Sequence, residues 1–547
     1  MLRINPAAPP GYYLDAAGEV DRPGPWAGRL SASLGLEGVD LAGFKAVANG
    51  RTPDGATLTR YNRRDRRYGV DATFSEPKSV SIMEQVAGDT RIGEARRESI
   101  YEVAVELIEP LACCRETGVF GTRRVMTGNL ACKLFDHLRT RPENGVSDPN
   151  GHGHLFLANA TEWKGKRHAL EMLPIKEAAP FLEAAWHARF AEKLKGLGYG
   201  IRPTRTAFEI AGVPDAMIHK FSSRTAKVEA SQAQREQVLS EQIREAASTE
   251  ELHRLEGKLA RVKSPKGKAA LGAMIREKKT QSLPLSQYPS VWMERLNGGD
   301  RQTLQAVLTD AARGPKPMER AKEGEHLARV MAAHMRLYSR TPERAVLTDT
   351  LKAGVGEVTL AGIQERLAQA ELVRARVNGV EMLQTWENRQ KEREVLQFAK
   401  RGGILWITGK PTSDTTDDAA WRAGKDPYWM KDAGKLPFAD LHRAVQEAEQ
   451  QGCKLVLQGL PPKNAPEGHP LRVLRDVAGL RPLDDKPIPK RPKVISVVPS
   501  LKGFGKKMRT HWERMRCLTY RDRIMAEQNH VRREASVVRR PERGIER

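Results

Sequence analysis

A chain of 547 residues has room for about two to four domains. Its 39% apolar content, mean hydropathy of −0.55 and lack of any apolar run near ~18 residues speak against a membrane-spanning segment. The five irregularly spaced cysteines, with no CxxC pair, exclude a disulfide framework and a thiolate zinc site, and 91 Lys and Arg against 68 Asp and Glu, a net charge of +23, point to nucleic acid rather than a membrane surface.

The first residues, MLRINPAAPPGYY, contain no apolar core of a secretory signal, so a cytoplasmic location is expected. They end in the pair Tyr12-Tyr13. Tyrosine pairs are usually packing, but a phenol attacks phosphorus when the charge developing on the phosphate is stabilised. Residues 24–55 read as short helices separated by glycines and closed by a Pro-Asp-Gly turn. In YGVDATFSEPKSVSIM, residues 68–83, Val70, Ala72 and Phe74 alternate with Asp71, Thr73 and Ser75. That is a half-buried strand ended by Pro77, with a helix starting at Lys78. Asp71 then lies on the polar side, where a carboxylate orients an imidazole or takes a proton, and Lys78 at a helix start suits a phosphate.

An amphipathic helix is expected over residues 93–112, followed by strands around Val125 and Phe135. The run LACKLFDH ends in His137. A Pro/Gly/Asn/Asp-rich loop follows, and GHGHLFLANA then places His152 and His154 two apart on another strand. Residues i and i+2 of a strand share a face, so two adjacent antiparallel strands would present all three histidines together. Neutral imidazoles bind Zn, Mn, Ni, Cu or Fe, and three of them leave positions open for substrate. The spacing alone also fits polar residues on a wet strand face.

TEWKGKRHALEM reads as a hairpin turning on Gly165, with Trp163 and Arg167 available to a nucleic-acid strand. Residues 176–197 are helical, with Phe181, Ala185, Phe190 and Leu194 as a core stripe, and GYGIRPTRTAFEIAGVP offers two short strands. One open sheet of about five strands with packed helices accounts for this half. Residues 229–280 read as a solvated helical pair whose Lys258–Lys279 part is basic enough to cover DNA. Residues 285–400 add helices without a chemical motif.

The ordered set of a near-N-terminal Tyr pair, WAGRLSASLGLEG, PDG, DATFSEPKSVS, HLRTRPENGVSDPNGHGH, WKGKRHALE, GYGI and FEIAGVPDAMIHKFSSR resembles the relaxase domain of MobF-type conjugative relaxases, within the HUH endonuclease superfamily. The resemblance covers roughly residues 10–300. It implies an α+β fold with an antiparallel sheet core and packed helices, and a metal-dependent transesterase. Such an enzyme nicks one DNA strand at an origin of transfer and stays joined to the 5′ phosphate through tyrosine. On that model Tyr12 is the nucleophile and Tyr13 its neighbour or understudy. His137, His152 and His154 hold a divalent ion, Mg or Mn with Zn as the alternative, and Asp71 orients a ligand or acts as base. Lys78, Arg139, Arg141, Trp163 and Arg167 contact DNA. Single-stranded DNA is the implied partner, with accessory relaxosome and coupling proteins.

There are departures from the family pattern. Residues 14–25 contain no second tyrosine pair, the loop between His137 and His152 is long, Glu76 stands where a small residue is usual, and Gly151 and Gly153 loosen the histidine strand. A catalytically weak relaxase-like DNA-binding protein and a rolling-circle replication initiator are the alternative readings.

The expected organisation is a relaxase domain over 1–300, a helical region over 301–395, a small α/β domain over 396–487 and a basic, partly disordered tail over 488–547. In the α/β part, GGILWITGKPTSD has Gly409-Lys410 after a strand. Pro411 replaces the hydroxyl residue a phosphate loop needs, and KLVLQGLPPK lacks an acidic residue, so the region reads as a degenerate helicase remnant. From Lys490 onward, 17 Lys and Arg stand against 6 Asp and Glu, which suits DNA binding without sequence choice.

Overall fold

Alternating apolar and polar residues build an antiparallel sheet of five strands around the two histidine-bearing segments. In the computed structural model, the structure describes residues 1–480 except 14–21, 39, 61–64, 119–120, 144, 247, 276–282, 408–427 and 431. The first of its two compact units, Met1–Asp485, holds all of them. The second, Lys486–Arg547, and with it the basic tail, lies outside the described residues, as does Gly409-Lys410.

The elements run β1 (Leu2–Pro6), β2 (Arg22–Ala27), α1 (Arg29–Ser33), α2 (Leu41–Ala48), β3 (Gly69–Ser75), α3 (Lys78–Gln85) and α4 (Arg91–Val103). Then come β4 (Cys113–Gly118), β5 (Gly121–Met126), β6 (Cys132–Arg139), β7 (Pro149–Ala158), β8 (Thr161–Trp163) and β9 (Lys166–His168). α5 (Leu173–Glu177), α6 (Ala179–Gly196), β10 (Ile201–Pro203) and β11 (Phe208–Ile210) follow. The order in the sheet is β1-β3-β7-β6-β2. The expected count of five holds, with different members. The strand around Val125 pairs with β4 in a separate hairpin, β10 and β11 pair with each other, and the sheet edges are β1 and β2. Residues 24–27 are therefore strand rather than helix. Pro6, Pro23 and Pro25 explain the edge positions, since proline cannot donate to a further ladder, and β2 is irregular between Pro23 and Trp26.

The two faces of the sheet pack differently. Val70, Ala72, Phe74, Leu134, Leu155 and Leu157 face a large core with α3, α4 and α6, where the stripe Phe181, Ala185, Phe190 and Leu194 is buried as expected. Phe135, Phe156 and Ala158 face the smaller lobe of α1 and α2 with Tyr13, Trp26 and Phe44. Gly165 (φ 69°) turns the β8–β9 hairpin.

Beyond residue 220, α7 (Asp215–Lys220) leads to three helices rather than a pair, α8 (Ser223–Arg244), α9 (Thr249–Lys263) and α10 (Pro265–Met274). The large core continues through later helices to Leu383. A hairpin of Val373–Val377 and Val380–Gln384 turns on Asn378-Gly379, both at positive φ. A second core, Val395 to Leu474, surrounds a three-stranded parallel sheet of Ile404–Ile407, Leu455–Gln458 and Tyr428–Met430, which gives this region its α/β character. Among the described residues no helix is long and apolar enough to cross a membrane.

Candidate metal and tyrosine site

The register of β6 on β7 sets His137 opposite His152 and Phe135 opposite His154. All three imidazoles thus project from one face at the same end of the two strands. Their ring centroids are 5.0–5.3 Å apart, and one nitrogen from each ring lies within 4.8 Å of the others. That spacing and donor set fit a divalent ion bound by three nitrogens.

The outer nitrogens of two rings are held by neighbours. His154 Nδ1 lies 2.9 Å from Asp71 Oδ2 and 3.1 Å from Oδ1, because β3 pairs with β7 on its other side and sets Thr73 opposite His154. Thr73 Oγ1 donates to the same carboxylate at 3.1 Å. With Asp71 accepting the Nδ1 proton, the lone pair of Nε2 is left for a metal. Asp71 therefore lies against one of the three histidines. His152 Nδ1 is 2.8 Å from the Asn150 carbonyl, again leaving Nε2. Burial, with His154 and His137 beside it, pushes His152 down to about 3, so its imidazole is neutral at physiological pH, the form that a metal would require.

The tyrosines approach from the N-terminal side. Pro9 and Pro10 lead into a single 3-10 turn over Pro10–Tyr12. Tyr12 is 45% exposed, and its ring meets His154 edge-on at 5.5 Å. Tyr13 is fully buried among Phe135, Phe156 and Phe44 at 5.3–5.9 Å, its hydroxyl accepting from Ala8 N at 3.2 Å. Burial, reinforced by the Asp71 charge, pushes the Tyr13 phenol well above the usual tyrosine range. The two tyrosines are thus unlike, one open and one sealed.

The expected DNA contacts fall in three places. Lys78 Nζ donates to the Pro149 carbonyl at 2.6 Å, and burial pushes its ammonium down to about 8. Arg139 pairs with Pro149 in the ladder, donates to the Leu283 carbonyl at 2.9 Å and lies 5.2 Å over the ring of Tyr288. Arg141 is exposed on the loop between β6 and β7. Trp163 and Arg167 sit on the β8–β9 hairpin. Trp163 Nε1 donates to Glu116 at 3.3 Å, and Arg167 lines a cleft of about 370 Å³ with Thr52 and Asp54.

Sequence reasoning missed what the long loop does. Buried Asp148 accepts from Ser223 N, Ser223 Oγ and Arg295, and the Ser147 carbonyl accepts from Trp292 Nε1, so the loop anchors later helices onto the base of β7. An Asp-Pro in a polar loop gave no sign of that burial.

The family model described as TrwC relaxase matches residues 3–298. The chain is 34% identical over 230 residues to the multifunctional conjugation protein TraI of Escherichia coli (strain K12), and 33% identical over 229 residues to another Escherichia coli TraI. These alignments take in 39% of this chain but span only 12% of the length of those proteins. Among solved structures, the conjugative relaxase TrwC in complex with oriT DNA is similar in its metal-free form, with a TM-score of 0.44 and 28% identity over 54% of this chain and 97% of that one. Its metal-bound form gives 0.44 and 28% over 56% and 98%.

Proposed function

Because the chain belongs to the TrwC relaxase family, whose model takes in more than half of its length, we propose that it nicks and rejoins one DNA strand at an origin of transfer through a phosphotyrosine. The observation that carries this reading is the exposed Tyr12 ring set against a three-histidine cluster. In the nicking step the Tyr12 oxygen bonds to phosphorus and the bond from phosphorus to the 3′ oxygen breaks. The phenol loses a proton and the leaving 3′ hydroxyl gains one, so the linkage is exchanged without hydrolysis and can be reversed. A divalent ion at the triad supplies charge stabilisation at the phosphate.

His137, His152 and His154 hold that ion, Asp71 fixes the His154 tautomer, and Tyr13 shapes the turn that presents Tyr12. Burial of Tyr13 supports one nucleophile rather than two. Three imidazole donors favour Mn²⁺ or another transition ion over Mg²⁺, which takes oxygen ligands. Arg141, Trp163 and Arg167 contact the DNA, while Lys78 and Arg139 act on it through the strand ends they hold. The basic stretch from Lys490 adds contacts independent of sequence. The same proposal keeps the domain divisions near residues 300, 395 and 487 and relaxosome and coupling proteins as partners. It also keeps a cytoplasmic location, where free thiols such as buried Cys113, Cys114, Cys132 and Cys453 stay reduced.

The test mixes the full chain with single-stranded oligonucleotides tiled across the DNA flanking its gene, with Mn²⁺, with Mg²⁺ or with EDTA, and resolves the products on a denaturing gel. A slow-migrating protein–DNA species that needs metal is expected. Binding without any such species, on every oligonucleotide and metal, would contradict the proposal.

A further inference from the structure

On the face of β7 opposite His152 and His154, one guanidinium gathers three carboxylates. Arg96 of α4 is fully buried, with Nη1 2.7 Å from Glu76 Oε2 and 2.5 Å from Glu84 Oε2, and Nη2 3.1 Å from Asp136 Oδ2. Arg97 reaches the same Asp136 oxygen at 3.3 Å. Glu76 in turn grips β7. Its backbone N–H donates to the Gly151 carbonyl at 3.2 Å, while Ser81 Oγ donates to Glu76 Oε1 at 2.7 Å and accepts from Gly151 N at 2.9 Å.

The cluster presses against the strand backbone itself. A Cβ at Gly151 would lie 2.1 Å from Glu76 Oε1 and 2.5 Å from Arg96 Nη1, and one at Gly153 would lie 2.8 Å from Ile100 and Leu134 side-chain carbons. The glycines flanking His152 are therefore required by close approach from behind. Asp136 immediately precedes His137, and Gly151 immediately precedes His152. Arg96 thus ties β6 and β7 together one residue away from two of the three histidines.

Stability alone is a poor reason for such a cluster, because desolvating four charges costs about as much as their attraction returns, and an apolar filling of equal volume serves as well or better. Its distinguishing property is directional. A guanidinium fork fixes its carboxylates in angle as well as distance. We propose that Arg96 is a positioning residue of the histidine site, locking β6 to β7 through Asp136 and through the Glu76–Ser81–Gly151 hydrogen bonds so that the three imidazoles converge on one ion. This inference rests on the reading of the triad as a metal centre.

The experiment titrates full-length protein with Co²⁺, following the visible absorption band, and with Mn²⁺ by calorimetry, using His152→Ala as the blank. Arg96→Lys keeps the charge but loses the fork. Gly151→Ala displaces the cluster while leaving every charge in place, and it decides the matter if Arg96→Lys does not fold. Tyr199→Phe is the control, because it removes a buried 2.6 Å bond to Asp89 in the same core without touching β6 or β7. The expected result is affinity weakened about 10- to 100-fold, with a changed Co²⁺ spectrum, in Arg96→Lys and Gly151→Ala but not in Tyr199→Phe. A folded Arg96→Lys or Gly151→Ala protein with wild-type affinity and spectrum would overturn the proposal. A wild-type protein that binds neither ion would remove the triad reading, and this inference with it.

Discussion

The antiparallel sheet around β7 and the small parallel sheet around Leu455–Gln458 are both built on buried strands, but they use their faces differently. In the parallel sheet Leu455, Val456 and Leu457 are all buried, so both faces of the central strand are apolar, as expected where helices cover both sides. In β7 the alternation separates two environments. Gly151, Gly153, Leu155 and Leu157 meet α4 and its core, while His152 and His154 turn toward the tyrosines. The histidine face of β7 is apolar only further along, where Phe156 and Ala158 join the smaller core, so its first half is free to carry polar side chains while the opposite face stays packed.

This contrast has measurable consequences. The largest is at the triad. His154→Ala should lower the rate of covalent adduct formation about 10³-fold and should also lower the thermal midpoint, since His154 is buried and its loss takes a partner from the buried Asp71 carboxylate. Thermal unfolding and a timed denaturing gel together check this. Next come the cores. Leu155→Ala and Leu457→Ala should each cost about 2–5 kcal/mol in denaturant unfolding. Only the first should slow adduct formation at a temperature where both variants are folded, and equal slowing would erase the distinction between the sheets.

A smaller effect concerns Lys78 at the base of β7. Its folded-state value is lowered to about 8 by burial, so between pH 8 and the ordinary lysine range the unfolded chain binds more protons than the folded one. Stability should therefore rise with pH across that window, by up to about 3 kcal/mol. Lys78→Met should remove that rise, seen as a flatter dependence of the urea midpoint on pH. The smallest effect is expected on the β8–β9 hairpin. Arg167→Ala should weaken single-strand binding roughly threefold and reduce the slope of log affinity against log salt by about 1, without changing the adduct once DNA is saturating.

Much of this was legible in the sequence because it depends on period-two alternation. His152 and His154 share a face by spacing alone, Asp71 falls on the polar side of its strand, and Gly165 marks a hairpin. The sheet edges were not legible. Leu2–Pro6 offers only two inward apolar residues, and the Pro-rich β2 carries no alternation at all. The hairpin at Asn378-Gly379 has the strongest local turn signal in its region, but helical patterns on both sides mask it. The Arg96 cluster was hidden for a different reason. An arginine in a charged amphipathic helix looks solvated, and its carboxylate partners come from residues 76, 84 and 136, far apart in the chain. The traces it left in the sequence are Glu76, where a small residue is usual, and Gly151 beside His152, which looks like loosening until the side chains behind it are seen.

The two tyrosines test the account most directly. Tyr12 is open to solvent beside His154, and Tyr13 is sealed beneath it with its phenol hard to ionise. Full-length Tyr12→Phe and Tyr13→Phe proteins, incubated with Mn²⁺ and an oligonucleotide that yields the adduct with the wild type, should give opposite results. Tyr13→Phe retains the adduct at a stability cost of about 1 kcal/mol, and Tyr12→Phe gives none. An adduct that persists in Tyr12→Phe and vanishes in a folded Tyr13→Phe would contradict the assignment of the exposed tyrosine as the joining residue.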